Sequence, residues 1–450
     1  IQFDLLRKKS DPLLKKADAE EIQNQINLAE LSINEISKKP VKVKPKPPFI
    51  TSTLQQSAST RLSFNVKRTM RVAQKLYEAG YITYMRTDAP SLSQESINDA
   101  RNYIKENIGD KYLTNAPRIY SSTENAQEAH EAVRPTNAYL QVKDLINLSD
   151  EENKLYQLIW ERFIASQLPD AEYLSTSAKI KVNDNTFVAK GREVVFDGYT
   201  AVLKNTTKEE DILPSLSEGD KVQKETIHLD QKYTKPPSRF SEAALVRELE
   251  KKGIGRPSTY ANIISTIQDR GYVEIQNKRF FVKKIGHIVA ERLLESFENI
   301  MDYNFTANVE ENFDNIAEGK QEWTSMMKDF YKDFHPVVED VNKNAERESG
   351  KRVLGTHPEN KREVSVRLGK FGPMVQVGTV DDDEKPIFAS LPPEFQIESI
   401  SLEQALDLFS LPRELGKYND EVVLSNNGKF GPYIKYGNKF VSIQSGQSPL

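Results

Sequence analysis

A tyrosine and an arginine two positions apart, Tyr84 and Arg86, stand in the stretch Tyr81-Ile-Thr-Tyr-Met-Arg-Thr-Asp-Ala-Pro90. In an extended segment, residues i and i+2 point to the same side, so both side chains would face one cleft. A phenol oxygen placed there can attack a phosphodiester while a guanidinium holds the developing charge. A free phenol titrates near ~10, so the nucleophile must pass its proton to a base or to water as it attacks. Tyr-x-Arg alone recurs by chance in many chains, and the flanking residues decide its meaning.

The elements that must position this pair can be read from periodicity. Val66, Met70, Ala73 and Tyr77 form an apolar helical face, and Gly80 stands where a C′ glycine would end the helix. Residues 81–84 then read as a short β-like run. Ser91-Leu-Ser-Gln-Glu95 is a helix start, and residues 155–165 read as a buried helix with Trp160 and Phe163 in the core. Ahead of these lie a helix near residues 17–29 and a run ending Lys-Pro-Val-Lys-Val-Lys-Pro-Lys-Pro-Pro48, expected to be one extended strand of an arm. Residues 173–182, 186–190, 193–196 and 221–229 are β-rich runs. Ser241 and Ser258 are expected to open two helices ended at Gly253 and Gly271, with Leu245, Val246, Leu249, Ile263, Ile264 and Ile267 inward. A hairpin over 272–283 follows, giving the order of a winged helix-turn-helix. Finally, Gly369-Lys-Phe-Gly-Pro-Met-Val-Gln-Val-Gly378 recurs as Gly428-Lys-Phe-Gly-Pro-Tyr-Ile-Lys-Tyr-Gly437, each with strand signals on both sides of a turn.

Composition sets limits. The 450 residues suffice for about three domains, with no apolar run long enough for a membrane span and no signal-peptide core. The start on Ile1 suggests a piece of a longer polypeptide. With no cysteine there are no disulfides or thiolate zinc sites, which fits a reducing cytoplasm. The net charge of −4 does not advertise a nucleic-acid binder, but positive charge is locally concentrated. Residues 61–90 hold six Lys/Arg against two Asp/Glu, and residues 232–279 hold ten against five. Such runs are commonly solvated helix faces; their coincidence with the motifs argues for phosphate contacts.

Five words in one order carry a resemblance. Pro48-Phe-Ile-Thr-Ser-Thr-Leu-Gln-Gln56, the Tyr84 stretch, Glu128-Ala-His-Glu-Ala-Val-Arg-Pro-Thr136, the segment 233–250 and Gly253-Ile-Gly-Arg-Pro-Ser-Thr-Tyr260 resemble bacterial type IA DNA topoisomerases, in the topoisomerase I branch. The resemblance covers roughly residues 48–272 and returns in the two C-terminal repeats. It implies an α+β multidomain fold, divided as follows: residues 1–47, the N-terminal part of a β arch; 48–170, a helical catalytic-tyrosine domain; 171–230, the second part of the arch; 231–345, a winged-helix-like DNA-binding domain; and 360–450, small β repeats that bind single-stranded DNA.

The resemblance also implies roles. Tyr84 is the nucleophile, Arg86 the phosphate-holding arginine, and His130 a cleft residue that bonds the phosphate or shuttles protons, where a lone histidine is usually packing. Asp88 is expected to fix Arg86 or cap the turn, and Arg134 to support its loop or the DNA backbone. Arg256, Ser258, Thr259 and Arg270 are expected to bind DNA at a helix N-terminus and last turn, with helix-dipole neutralisation the other reading of Arg270. Phe371 and Phe430 are expected to fill small cores, and Tyr433 and Tyr436 to stack on bases. His228, His287, His335 and His357 are expected to be structural, and Asp381-Asp-Asp-Glu384 a solvated loop rather than a metal site. Mg²⁺ is implied for the whole enzyme, with ligands in an N-terminal Toprim domain whose acidic pattern does not occur here; no ATP is implied. The expected substrate is single-stranded or negatively supercoiled DNA, handled by a nucleoid-associated monomer. Two alternatives remain open at this point: a winged-helix architectural protein without catalysis, and a topoisomerase III-like decatenase, from which Met85 and the repeats point away.

Overall fold

The lysine- and proline-rich run after residue 34 forms a strand that only a sheet edge can accept, because Pro40 has no N–H to give a second neighbour. In the computed structural model, β1 (Asp4–Leu5), α1 (Lys16–Leu28), β2 (Leu31–Ser32) and β3 (Glu35–Val43) open the chain. The structure describes residues 1–8, 11, 15–121, 130–203, 212–344, 351–369, 372–379, 382–392, 395–397, 399–428 and 431–443. It divides into two units, Ile1–Asp329 and Phe330–Leu450.

In the first unit, α2 (Thr51–Arg61), α3 (Val66–Glu78), α4 (Gln94–Asn107) and α5 (Asp150–Gln167) build a helical body. Each begins where a polar residue can satisfy free N–H groups: Asn65 caps α3, Ser93 caps α4, and Ser149 with Glu152 forms a capping box on α5. α5 is the axis of this body. Leu155, Tyr156, Ile159, Phe163 and Ile164 are fully buried among Leu54, Leu76, Ile82, Met85 and Ile104. A helix apolar on most of its circumference must lie inside, which explains its burial.

After α5 come β4 (Ala171–Val182) and β5 (Asn185–Phe196), and the sheet order is β1-β5-β4-β3 with β3 at the edge as its proline requires. The register runs from Glu35 opposite Lys179 to Val43 opposite Ala171. The two runs expected at 186–190 and 193–196 are thus one continuous strand. The run expected at 221–229 reduces to the two-residue β6 (Lys221–Val222), paired with β2. Ile33, Ala178, Ile180 and Val182 form the small core of this arch-like element.

Then follow α6 (Glu242–Lys251), α7 (Tyr260–Asp269), β7 (Val273–Gln276) and β8 (Arg279–Val282). Asn277 and Lys278 have φ of 49° and 60°, the left-handed pair that a two-residue hairpin turn demands. Ser241 caps α6 as expected, but α7 begins at Tyr260 rather than at Ser258, and only Ile264 of its three isoleucines is buried. Val246, Tyr260, Ile264 and Phe280 share a core with Val66 of α3. Glu242 Oε2 accepts from Val66 N at 2.8 Å, so the winged element is packed onto the tyrosine-bearing body. α8 (Lys284–Ser296), α9 (Glu298–Met301), α10 (Tyr303–Ala317) and α11 (Trp323–Asn344) complete this stretch; in α8, α9 and α10 only Gly286 is buried.

In the second unit, β9 (Arg352–Thr356), β10 (Glu363–Gly369), β11 (Gly372–Val377) and β12 (Ile387–Ser390) form an antiparallel sheet in sequential order. α12 (Leu402–Asp407) covers it through Ala405, against Val364, Val366, Val375 and Val377. β13 (Arg413–Tyr418), β14 (Glu421–Gly428), β15 (Gly431–Tyr436) and β16 (Lys439–Ser442) repeat the meander. Gly369 pairs with Gly372 in one repeat and Gly428 with Gly431 in the other, so the repeated motif is the hairpin of each sheet. Phe371, Phe430 and Asp381 lie outside the described residues. Tyr433 and Tyr436 are half-buried, Tyr433 against Phe440 and Tyr436 edge-on to Tyr418. Asp382 is no solvated loop residue: it accepts from Thr379 N at 2.9 Å and pairs with Arg362 at 3.0 Å.

If α5 is the axis of the helical body, Phe163→Ala costs about 3–5 kcal/mol, whereas Val195→Ala, at a 64% exposed position, costs less than ~0.5 kcal/mol. Urea denaturation, read from midpoint and slope, checks both values.

Candidate active site

Tyr84 follows a helix that is stopped sharply. Gly80 takes φ 78°, its N–H bonds Tyr77 O, and Tyr81 N bonds Leu76 O, closing the last turn of α3. The chain then passes through bends at Tyr81, Thr83 and Met85. It is no regular strand: its bridge is a single pairing of Ile82 with Pro135.

Two hydroxyls clamp this segment from opposite sides. Thr83 N donates to Arg134 O at 2.9 Å, and Thr83 Oγ1 donates to Ala132 O at 2.7 Å and accepts from Arg134 N at 3.0 Å. From the start of α2, Thr51 Oγ1 donates to Met85 O at 2.7 Å and accepts from Thr87 N at 2.8 Å, while Thr51 N donates to Thr87 O at 2.9 Å. Ile82, Met85, Thr87 and Ala89 are buried by this clamp, and Tyr84 and Arg86 project outward. Tyr84 and Arg86 are both exposed and flank the buried Met85. Arg86 makes no ion pair among the described residues, so its guanidinium is available to an anion.

Two neighbours of Tyr84 differ from expectation. Tyr77, expected on the buried face of α3, is 40% exposed, and its ring meets that of Tyr84 (43% exposed) edge-on, centroids 5.2 Å apart. The helix period places Tyr77 at the rim of the core, and Tyr84 covers it. Asp88, expected to fix Arg86 or cap the turn, instead lies with Oδ1 3.3 Å from His130 Nδ1. A protonated Nδ1 donates to that carboxylate and leaves Nε2 free for substrate.

The loop carrying His130 is braced by charge. The Arg134 guanidinium forks onto Glu131, at 2.7 Å and 3.0 Å, and Glu131 also accepts from Ser93 N at 2.9 Å and Ser96 Oγ at 3.3 Å. Burial alone would push the Glu131 carboxyl up, but the guanidinium and the Ser93 N–H outweigh it and hold it below the ordinary carboxylate range. Arg134, only 14% exposed, is therefore a brace of the loop, the first of its two expected roles.

The winged element meets the site through Tyr260 at the first turn of α7. Burial, and then the negative fields of Glu250 and Asp88, push its phenol up to about 12. Ser52 of α2 donates to Glu250 at 2.5 Å and fastens α6 nearby. Of the four residues expected here, Arg256 is paired with Asp314 at 2.8 Å and Glu310 at 3.6 Å, and Thr259 Oγ1 is engaged in the turn with Arg256 N. Ser258 and Arg270 are exposed, and Arg270 has no ion pair among the described residues. Part of the cation cluster around α3 is likewise matched internally: Arg68 and Arg71 pair with Glu151, and Lys75 with Glu152. Thr51, Glu131, Ser52 and Glu250 were not singled out from sequence, and Tyr77 was read only as part of a buried face. Thr51 and Ser52 lie inside the Thr-Ser-Thr word, which is the one signal that could have found them.

An exposed tyrosine and an arginine without an ion pair thus stand on a helical body joined to a β sheet and a helix–turn–helix–hairpin element. The chain matches the family described as DNA topoisomerase over residues 2–328, and the topoisomerase C-terminal repeat over residues 357–420 and 417–450. It belongs to the DNA topoisomerase family, with the α+β fold expected. It is 43% identical over 447 residues to DNA topoisomerase 1 of Xylella fastidiosa (strain 9a5c), covering 94% of this chain and 55% of that protein. To DNA topoisomerase 1 of Escherichia coli (strain K12) it is 48% identical over 348 residues, covering 76% of this chain and 40% of that one. Among solved structures, full-length topoisomerase I from Thermotoga maritima superposes with TM-score 0.70 at 30% identity, covering 87% of this chain and 65% of that one. The chain thus spans about half the length of the curated relatives it matches.

Because Glu131 is held deprotonated by its partners, the stabilisation it gives is complete above the unfolded carboxylate value near ~4.5 and is lost as pH falls through its lower folded value. Glu131→Gln should cost about 2 kcal/mol, since it leaves Arg134 half-matched, and should abolish that acid-side loss. Thermal melts of both proteins between pH 3 and pH 7 measure the difference.

Proposed function

We propose that this chain carries the strand-cleaving centre of a type IA topoisomerase that relaxes negatively supercoiled DNA. The observation that supports it best is the clamp that leaves Tyr84 and the unpaired Arg86 exposed, beside the His130–Asp88 pair. In this reading the Tyr84 oxygen attacks a phosphodiester of one unpaired strand. The phosphorus–O3′ bond breaks, the 5′-phosphate stays on Tyr84, and the departing oxygen takes a proton to become a free 3′-hydroxyl. Arg86 holds the non-bridging oxygens as charge builds on them. His130, fixed through Nδ1, presents Nε2 to move the proton between phenol and leaving oxygen. The phosphotyrosyl link conserves the bond, so the 3′-hydroxyl reseals it by reversal and no ATP is consumed. Between cleavage and resealing, the arch opens for the other strand.

Ser258 and Arg270 approach the DNA backbone, with Arg256 and Thr259 shaping the helix start behind them and Arg134 acting through the loop. The expected domain boundaries at 47/48, 170/171 and 230/231 fit this division of labour, and the C-terminal repeats supply further single-strand contacts. Mg²⁺ is implied for the whole enzyme, yet among the described residues no group of three or more His, Asp or Glu could hold a metal ion. These residues do not fit the ion, and no step above uses it. We therefore expect residues 1–450 to bind single-stranded DNA, as a monomer, without relaxing DNA unaided. Among the described residues no helix is long and apolar enough to cross a membrane, and the acting site is expected to be the nucleoid.

The test mixes the chain with an end-labelled single-stranded oligonucleotide, Mg²⁺ and the Toprim region of a family member, then quenches with SDS. A covalent adduct should form and vanish in Tyr84→Phe. Arg86→Lys, which keeps charge but loses the fork, should lower adduct yield ~10²–10³-fold. An adduct that survives in Tyr84→Phe would move the nucleophile elsewhere. Tight oligonucleotide binding with no adduct at all would favour an architectural role instead.

A further inference from the structure

The ring of Tyr84 is held less firmly than the chain that carries it. On one side the Thr83 hydroxyl bonds Ala132 O at 2.7 Å and Arg134 N at 3.0 Å; on the other, Met85 O accepts from Thr51 Oγ1 at 2.7 Å. The side chain between them has no such hold. It is 43% exposed and lies outside the hydrophobic core built around α5, and among the described residues its hydroxyl makes no hydrogen bond. A phenol on a fixed backbone still turns about two side-chain bonds, which sweeps its oxygen along an arc. In-line attack on phosphorus needs that oxygen at one point of the arc.

One neighbour limits the sweep. The ring of Tyr77 meets that of Tyr84 edge-on, with centroids 5.2 Å apart and 64° between the planes. Its root is rigid. Tyr77 stands in the last turn of α3 beside the fully buried Leu76, and its carbonyl accepts from Gly80 N at 2.9 Å as the helix closes. Tyr77 is 40% exposed and, like Tyr84, is not part of the core, so its ring does not fill the interior. Tyr81, between the two in sequence, shows the contrast: it packs against the core and meets Tyr156 edge-on at 6.3 Å. One of these three tyrosines serves the interior, and the other two face each other at the surface.

We propose that Tyr77 is a positioning residue for Tyr84, its ring fixing the turn of the phenol before attack and again while Tyr84 carries the phosphate. The part it plays in strand cleavage rests on the proposed function; the hold on the ring does not. Edge-to-face contact needs an aromatic partner, because the positive rim of one ring meets the negative face of the other. A mere apolar cover would be supplied as well by leucine. The hold acts on cleavage and resealing alike, since the oxygen occupies the same point in both directions. It therefore sets both rates and leaves the balance between cleaved and intact strand unchanged.

The test compares wild type, Tyr77→Phe, Tyr77→Leu and Tyr77→Ala in two ways. Whole chains labelled with 3-fluorotyrosine, without DNA, give a fluorine NMR line for Tyr84, identified as the one missing from Tyr84→Phe. In wild type and Tyr77→Phe this line should stand apart from that of free tyrosine. In Tyr77→Leu and Tyr77→Ala it should move toward the free position and sharpen. Unlabelled chains are then mixed with the oligonucleotide, Mg²⁺ and the Toprim region. Adduct formation should slow about 2–10-fold in Tyr77→Leu and Tyr77→Ala and stay near wild type in Tyr77→Phe. Resealing should slow by the same factor, with oligonucleotide affinity and final adduct level unchanged. A Tyr84 line that stays in place in Tyr77→Leu and Tyr77→Ala would overturn the proposal. So would leucine serving as well as phenylalanine, or a loss confined to oligonucleotide affinity. If wild type itself forms no adduct while the fluorine lines move as expected, the catalytic reading fails and the hold of Tyr77 on Tyr84 stands.

Discussion

The structure turns on the fixing of one segment by two threonines. Thr51 and Thr83 each use the hydroxyl as donor and acceptor at once, tying residues 83–87 to the first turn of α2 and to the loop 132–136. Each such bond nets only ~0.5–1.5 kcal/mol, but breaking one in a buried setting leaves polar groups unmatched and costs more. The result is a register in which Met85 and Thr87 cannot leave the core without exposing those groups. Tyr84 and Arg86 have no choice but to face outward. A one-residue slip would reverse every side chain and bury the nucleophile.

Electrostatics then narrows which cations can meet a phosphate. The basic surface suggested by local charge counts is matched in part within the fold: α3 is laced to α5 through Glu151 and Glu152, and Arg256 to α10 through Glu310 and Asp314. Exposed pairs of this kind are each worth little, so phosphate can compete for the outer ones. A half-buried guanidinium forked onto a carboxylate, as Arg134 is onto Glu131, will not exchange partners readily. What remains free near the clamp is Arg86, with Arg270 on the winged element. These two arginines have no ion pair among the described residues.

How much of this could be read in the sequence depends on the range of the interaction. The helix starts at residues 91–95 and at Ser241 were legible because the caps are local: Ser93 and Ser241 each accept from an N–H three residues on, as does Ser149 at the start of α5, which was read only from residue 155. Ser258 misled for the same reason, since the turn that precedes α7 is closed by Thr259 on Arg256 instead. The exposure of Tyr84 and Arg86 on either side of the buried Met85 fits the alternation expected from their spacing, although the chain bends at Thr83 and Met85. The partner of Asp88 was not, because His130 is 42 residues away. The exposure of Tyr77 was hidden too, since periodicity gives a face and says nothing about where that face ends. The joining of two runs into β5 followed from its long pairing with β4, which supplies through the partner strand what the local residues lack.

The proposed breakage and resealing would impose opposite demands on one molecule. Resealing requires the tyrosine-linked phosphate to stay where Arg86 and His130 left it, so the parts around Tyr84 must be stiff. Passage of a strand requires another part to move by far more than a bond length. The fold meets both by composition of its contacts. The clamp around residues 81–88 is dense in buried hydrogen bonds and backed by the α5 core, whereas the arch sheet has only the small core of Ile33, Ala178, Ile180 and Val182. The winged element shares a core with α3 through Val66, so it travels with the nucleophile rather than with the arch. In this protein the stiff half therefore includes both Tyr84 and the element placed to grip the strand beside it. The thinly packed part is the arch sheet itself.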